Sequence, residues 1–191
     1  MKNQTKIRVR LQEFKSLSEE QQFQEFMFCL LTPQSNAQRC WQAVEEISKL
    51  KNPTKEQITN ILKTKTRFHN TKAERILNAK SSFEKIQPFL VHPNTLELRD
   101  QIAKNVNGYG LKEASHFLRN IGKSENKIAI LDRHILKNLH ALNLISDTKI
   151  NSPNRYFEVE QIYLDYAKKI KIPADELDLL WWSQENGEVF K

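Results

Sequence analysis

Apolar residues recur along this chain at three- and four-residue spacings, a pattern that predicts helices almost from end to end. Phe23, Phe26, Met27, Leu30 and Leu31 form the first strong stripe, behind the capping box Ser18-Glu19-Glu20-Gln21. Thr32-Pro33-Gln34-Ser35-Asn36 breaks it, and Ala37 to Leu50 carries the next helix. Thr54-Lys55-Glu56-Gln57 opens a third, and Thr71-Lys72-Ala73-Glu74 a fourth that stops near Pro88. Asn94-Thr95-Leu96-Glu97 starts a helix with Leu98, Ile102 and Val106 inward, and Leu111, Ala114, Phe117, Leu118 and Ile121 mark its successor. After the apolar run Ala129-Ile130-Leu131, residues from Asp132 to Leu142 form another helix. Two more follow: one after Pro153 through Tyr156, Val159, Ile162, Tyr163 and Tyr166, and a last one from Pro173 that carries Leu177, Leu180 and Trp181 and ends near Gly187. No convincing strand, repeat or low-complexity linker interrupts them. The expected fold class is all-α.

Composition narrows the function. The chain has 191 residues, enough for a real core in one domain or two small lobes. Its formal net charge of +7 points to a polyanion without choosing among nucleic acid, acidic protein and membrane surface. Between Lys49 and Lys80 nine basic residues face only Glu56 and Glu74, a local excess as large as that of the whole chain. Such a run is either a solvated face or a phosphate-binding one. No apolar stretch of about eighteen residues exists to span a membrane. Met1-Lys2-Asn3-Gln4 has no apolar signal core behind it, so an intracellular protein is expected. Cys29 and Cys40 lie in helical patterns without a Cys-x-x-Cys spacing, so neither a disulfide nor an iron–sulfur cluster is expected, and no metal.

Two of the four glycines, Gly108 and Gly110, stand two apart in Asn107-Gly108-Tyr109-Gly110, between two helical stripes. Glycine tolerates positive φ and lets backbone approach a ligand, so this reads as a helix-hairpin-helix turn with outward amides. Amides at a helix N-terminus favour phosphate. Lys112 is then out of place, because the first turn of a helix disfavours a cation. A nucleophilic amine must be neutral, and that field favours the neutral form. Twenty residues on, Asp132 sits where an apolar run meets a helix. It is either a plain N-cap or a carboxylate facing a cleft, and the two roles are compatible.

The hairpin, a lysine in the next turn and an aspartate twenty residues later resemble the helix-hairpin-helix DNA glycosylases of the endonuclease III group. Further segments narrow the likeness. Leu30-Leu31-Thr32-Pro33-Gln34-Ser35-Asn36-Ala37 looks like that superfamily's early loop, and Arg67-Phe68-His69-Asn70-Thr71-Lys72-Ala73 like its aromatic start to a helix. Leu179-Leu180-Trp181-Trp182 and the ending Gly187-Glu188-Val189-Phe190-Lys191 resemble the short 8-oxoguanine DNA glycosylases of the second Ogg subfamily, found in archaea and some bacteria. The likeness covers most of residues 20–191, and Asn107 departs from the proline common among relatives. It implies two lobes: residues 20–125, with the hairpin motif at about 95–122, and residues 1–19 plus 126–191, with the active site between them.

The resemblance also implies the chemistry. A base inside a duplex must be extruded before an enzyme can act on it. Gln34 would fill the gap, as against being part of an ordinary loop. Phe68 and Trp182 would sandwich the base, as against being core aromatics. The carboxylate of Lys191 would accept the N7 proton that distinguishes 8-oxoguanine from guanine. Lys112 would attack C1′ and form a Schiff base, Asp132 would stabilise the cationic sugar, and β-elimination would follow. Arg133 and the hairpin residues Asn107, Gly108, Tyr109 and Gly110 would contact DNA. No cofactor is expected, with room for a monovalent cation at the hairpin carbonyls. The expected partner is duplex DNA carrying oxidised guanine, bound by a monomer in a prokaryotic cytoplasm, at the nucleoid. The alternatives are a related glycosylase for an oxidised pyrimidine or mismatch, and a hairpin module that binds DNA without catalysis.

Overall fold

The structure is a computed structural model and describes residues 2–191. Eleven helices, and no strand, occur among the described residues. They are α1 (Lys2–Phe14), α2 (Glu19–Leu31), α3 (Ala37–Ser48), α4 (Lys55–Lys63), α5 (His69–Leu77), α6 (Ala79–Ile86), α7 (Thr95–Asn105), α8 (Leu111–Asn120), α9 (Arg133–Ala141), α10 (Pro153–Lys169) and α11 (Ala174–Asn186), with a 3₁₀ turn at Gln87–Val91.

Local chemistry sets most of the boundaries. Ser18 and Thr54 each accept from the backbone three residues on, while Gln21 and Gln57 reach back, so both capping boxes form. Asn94 and Asp132 cap α7 and α9 through their side chains. Gly187 closes α11 at φ +80°. Between Phe68 and Ile86 the boundaries differ from the sequence pattern. The helix expected from Thr71 begins at His69, preceded by Phe68 in a left-handed conformation (φ 57°, ψ 37°), and breaks at Asn78 into two.

Buried side chains fall into two clusters. One runs from Phe26 to Ile128 and is built around Phe26, Phe83, Tyr109 and Phe117, whose rings meet at 5.1–6.4 Å. The other runs from Ala129 to Trp181. The chain crosses between them in one peptide, Ile128 to Ala129. Helix α8 touches both, with Phe117 in the first core and Leu111 against the second. Helix α1 packs on α8 and α11, burying Ile7 and Phe14. A buried polar knot joins α7 to α10 where the clusters meet. Arg99 Nη1 donates to both Glu160 oxygens at 2.6 and 2.7 Å, and Glu160 Oε1 accepts from the Ala129 amide at 2.7 Å.

A candidate active site between two helical cores

A cleft of about 820 Å³ opens where the two cores face each other. One wall is the loop after α2 with Gln34 and Ser35, and the segment Lys63 to Arg67. The lining also includes the α8 face carrying Lys112, His116 and Arg119, then Ile130 to His134, and Asp178, Trp182 and Lys191. Six residues singled out by the sequence, Gln34, Lys112, Asp132, Arg133, Trp182 and Lys191, thus line one space.

Lys112 occupies the first turn of α8, and its neighbour explains how a cation is tolerated there. Glu113 Oε2 accepts from the Gly110 amide at 3.1 Å, while Glu113 Oε1 pairs with Lys112 Nζ at 2.8 Å. The carboxylate that caps the helix is therefore also the counter-ion of the lysine. Attack by Lys112 on an electrophile requires the amine to leave that pair. Asp132 caps α9, with Oδ1 accepting from His134 N at 2.8 Å and Ile135 N at 2.9 Å. Cap and cleft wall coincide in this residue.

The Gln34 loop is held from α5, behind the cleft wall. Lys72 is buried, and its Nζ donates to Leu31 O at 2.7 Å, Pro33 O at 2.8 Å and Ser35 Oγ at 2.8 Å. Burial pulls this amine down to about 8, and the charges of Arg75, Lys112 and Arg67 push the same way. Gln34 itself sits at φ 54° in the loop so clamped. The Lys-Ala pair after Phe68 was visible in the sequence, but its purpose depends on carbonyls about forty residues away.

Trp182 lies on the cleft wall, its ring 6.1 Å from that of Phe190 at 30°. Lys191 is buried: its ammonium pairs with Glu25 and stands 3.3 Å from the centroid of Trp41. Glu25, a carboxylate within an apolar helical stripe, is further held by Asn120 Nδ2 at 2.8 Å. Burial pushes the Lys191 amine below its usual range, with Glu25 opposing. Arg119 Nη2 reaches Asp178 Oδ2 at 3.1 Å. Burial raises the Asp178 carboxyl to about 7 against the pull of Arg119, with Asp132 and Asp175 adding to the rise. Sequence reasoning missed Glu25, Lys72, His116, Arg119 and Asp178. Only a charged residue inside an apolar stripe could have hinted at the first.

Two expectations need correction. Phe68 does not face Trp182 across the cleft: it is 55% exposed, outside the lining, with the Arg67 guanidinium 5.3 Å from its ring centroid. The expectation for Tyr109 narrows to its backbone, because its side chain is turned into the core. Its ring stacks on Phe26 at 5.1 Å, and its hydroxyl donates to Phe26 O at 2.9 Å, anchoring the hairpin to the core. Asn107, Gly108 and Gly110 lie outside the cleft lining. Gly108 has φ +99°, which favours glycine, and a Cβ there would meet the end of the Arg75 side chain at 2.6–2.9 Å and push it aside. No group of three or more His, Cys, Asp or Glu among the described residues is placed to hold a metal ion, and no helix is long and apolar enough to cross a membrane.

Comparison with known proteins is consistent across three measures. The Ogg-HhH family, described as 8-oxoguanine DNA glycosylase, matches residues 7–172. An 8-oxoguanine DNA glycosylase/AP lyase of Fusobacterium nucleatum is 40% identical over 196 aligned positions, covering 95% of this chain and 89% of the relative. A protein of the same name from Methanocaldococcus jannaschii is 36% identical, covering 95% and 90%. The crystal structure of the M. jannaschii glycosylase/lyase in complex with a 15mer DNA containing 8-oxoguanine superposes with a TM-score of 0.84 at 34% identity, covering 97% of this chain and 91% of that one. The Thermotoga maritima 8-oxoguanine DNA glycosylase gives a TM-score of 0.86 at 33% identity, covering 97% and 91%.

Proposed function

The chain belongs to the 8-oxoguanine DNA glycosylase family of helix-hairpin-helix proteins, and we infer that it excises 8-oxoguanine from duplex DNA and then nicks the abasic strand. One observation carries the assignment of roles: Lys112 and Asp132 line a single cleft together with Trp182 and Lys191.

The extruded nucleoside enters that cleft, and Gln34, on its clamped loop, takes the space left in the helix. The base stacks on Trp182. Lys191 carries the acceptor for the N7 proton, which guanine lacks. As the bond from C1′ to N9 breaks, the electron pair leaves with the base and positive charge develops on the sugar, where the Asp132 carboxylate stabilises it. Lys112 Nζ, freed from Glu113 and deprotonated, bonds to C1′, and ring opening gives an imine. The imine acidifies the 2′ proton, and its loss expels the 3′ phosphate. Asn107, Gly108 and Gly110 offer backbone to the phosphates, and Arg133 offers its guanidinium. A monovalent cation on the hairpin carbonyls would add affinity without entering the chemistry.

Borohydride trapping tests this reading. Wild-type protein with an 8-oxoguanine duplex should give a covalent adduct, and Lys112→Gln should give none while still binding the duplex. An adduct of undiminished yield from the variant would remove Lys112 from the reaction. A panel of oxidised-pyrimidine and mismatched duplexes defines the lesion range, with 8-oxoguanine expected to react fastest.

A further inference from the structure

His116 follows Lys112 by one helical turn, on the same face of α8, and lines the cleft. Its ring is half-buried and packs edge-on against Phe28, with centroids 5.6 Å apart. Nε2 is fully buried without a hydrogen-bond partner, and Nδ1 has none either among the described residues. An unmet buried nitrogen is costly and uncommon in a folded protein. Among the described residues, the other buried polar atoms without partners belong to Arg99, Arg119 and Asn120, and each of those side chains makes a hydrogen bond or ion pair through another atom. In His116 the whole imidazole is left over.

Burial drives this imidazole well below its usual range, and the charges of Arg119, Lys112 and Lys191 act in the same direction. It is therefore neutral at physiological pH, offering one N–H and one lone pair. Lys112, assigned to C1′, stands one turn before it on α8, and the Phe28 ring it packs against also meets the ammonium of Lys191, assigned to the base, 5.7 Å from its centroid. A cleft-lining group that neighbours both is within reach of the nucleoside those two residues are assigned to hold.

We propose that His116 is a specificity residue that hydrogen-bonds the polar edge of the everted base. The proposal rests on the reading of this cleft as the pocket for oxidised guanine. A neutral imidazole suits that task, since it can donate to a base carbonyl or accept from a base N–H without bringing a second cation beside the developing sugar charge. It has nothing to offer a site that has already lost its base.

The test separates these two substrates. Single-turnover base excision is measured on an 8-oxoguanine duplex, and strand nicking on the same duplex carrying an abasic site, for wild type, His116→Leu and His116→Gln. His116→Leu should lower the excision rate roughly ten- to a hundredfold, the range for leaving a buried polar group unpaired. Its nicking of the abasic duplex should stay within about twofold. His116→Gln, which restores a donor and an acceptor, should recover part of the lost excision rate. Equal losses on both duplexes in both variants would reduce His116 to a packing residue, and excision at the wild-type rate by His116→Leu would also overturn the proposal. Should Leu and Gln lose excision alike while nicking persists, shape rather than hydrogen bonding would be the cause and the proposal fails. Wild-type protein inactive on both duplexes would instead sink the reading of the cleft.

Discussion

At the scale of single residues, two carboxylates in the cleft do different work and can be told apart. Asp132 is both cap and proposed charge stabiliser, and asparagine caps a helix about as well as aspartate. Asp132→Asn should therefore leave melting temperature nearly unchanged while slowing base release by about 10²–10³-fold, the scale seen when one transition-state-stabilising group is removed. Asp132→Ala should add about 1 kcal/mol of destabilisation from the lost cap. If Asn and wild type excise at the same rate, the carboxylate only caps. Asp178 behaves differently, because burial raises it to about 7 when an unfolded aspartate titrates near 3.9. The folded protein holds that proton more tightly, so the group's contribution to stability is full below about pH 4 and is lost as pH rises through about 7. Asp178→Asn should flatten the fall in unfolding free energy between those limits, measured by urea titration at several pH values. An identical pH profile for the variant would show that Asp178 is not the group responsible.

At the scale of elements, the hairpin and the Gln34 loop show where sequence is readable and where it is not. Gly108 was legible because positive φ and a close approach are local demands on one residue, although the arginine that crowds it, Arg75, came from a different helix. Gly108→Ala should strain the turn and displace Arg75, weakening binding to undamaged duplex, and the plot of log affinity against log salt should become shallower if a phosphate contact is lost. Unchanged affinity and slope would take the hairpin out of the interface. The capping boxes at Ser18 and Thr54 were equally legible, each being complete within four residues. The left-handed start of α5 was not, and neither was the Lys72 clamp: its acceptors lie at Leu31, Pro33 and Ser35, and no local pattern points to them. Lys72→Met should leave two carbonyls without that donor, costing about 2–4 kcal/mol by urea unfolding. With Gln34 in its proposed gap-filling role, it should also slow base excision more than nicking of abasic DNA. The same limit explains Tyr109, whose position in a polar hairpin suggested a contact with DNA. Only the packed core shows its ring stacked on Phe26.

At the scale of the whole molecule, the cleft lies between two cores, and the buried Arg99–Glu160 knot is one of the contacts that join them. Glu160 grips the Ala129 amide, and Asp132, the proposed charge stabiliser, follows three residues later, so the knot holds the segment that leads into it. Tyr156 adds a second grip on the same residue, its hydroxyl donating to Ala129 O at 2.6 Å. A buried ion pair adds little net stability over an apolar pair, but removing one partner strands the other at a cost of about 3–5 kcal/mol. Glu160→Gln, close in size, leaves the Arg99 cation only Asp100, 3.7 Å from its Nε, as counter-charge and should lower stability by up to that amount in urea titrations. Arg99→Met should do the same. The double variant should lose less than the sum, because a single interaction cannot be broken twice. If the knot also positions Asp132, Glu160→Gln assayed well below its melting temperature should excise 8-oxoguanine more slowly while binding duplex normally. Additive stability losses with unaltered excision would mean that the two cores keep their spacing without it, and the alignment of Lys112 with Asp132 would then have to come from α8 alone.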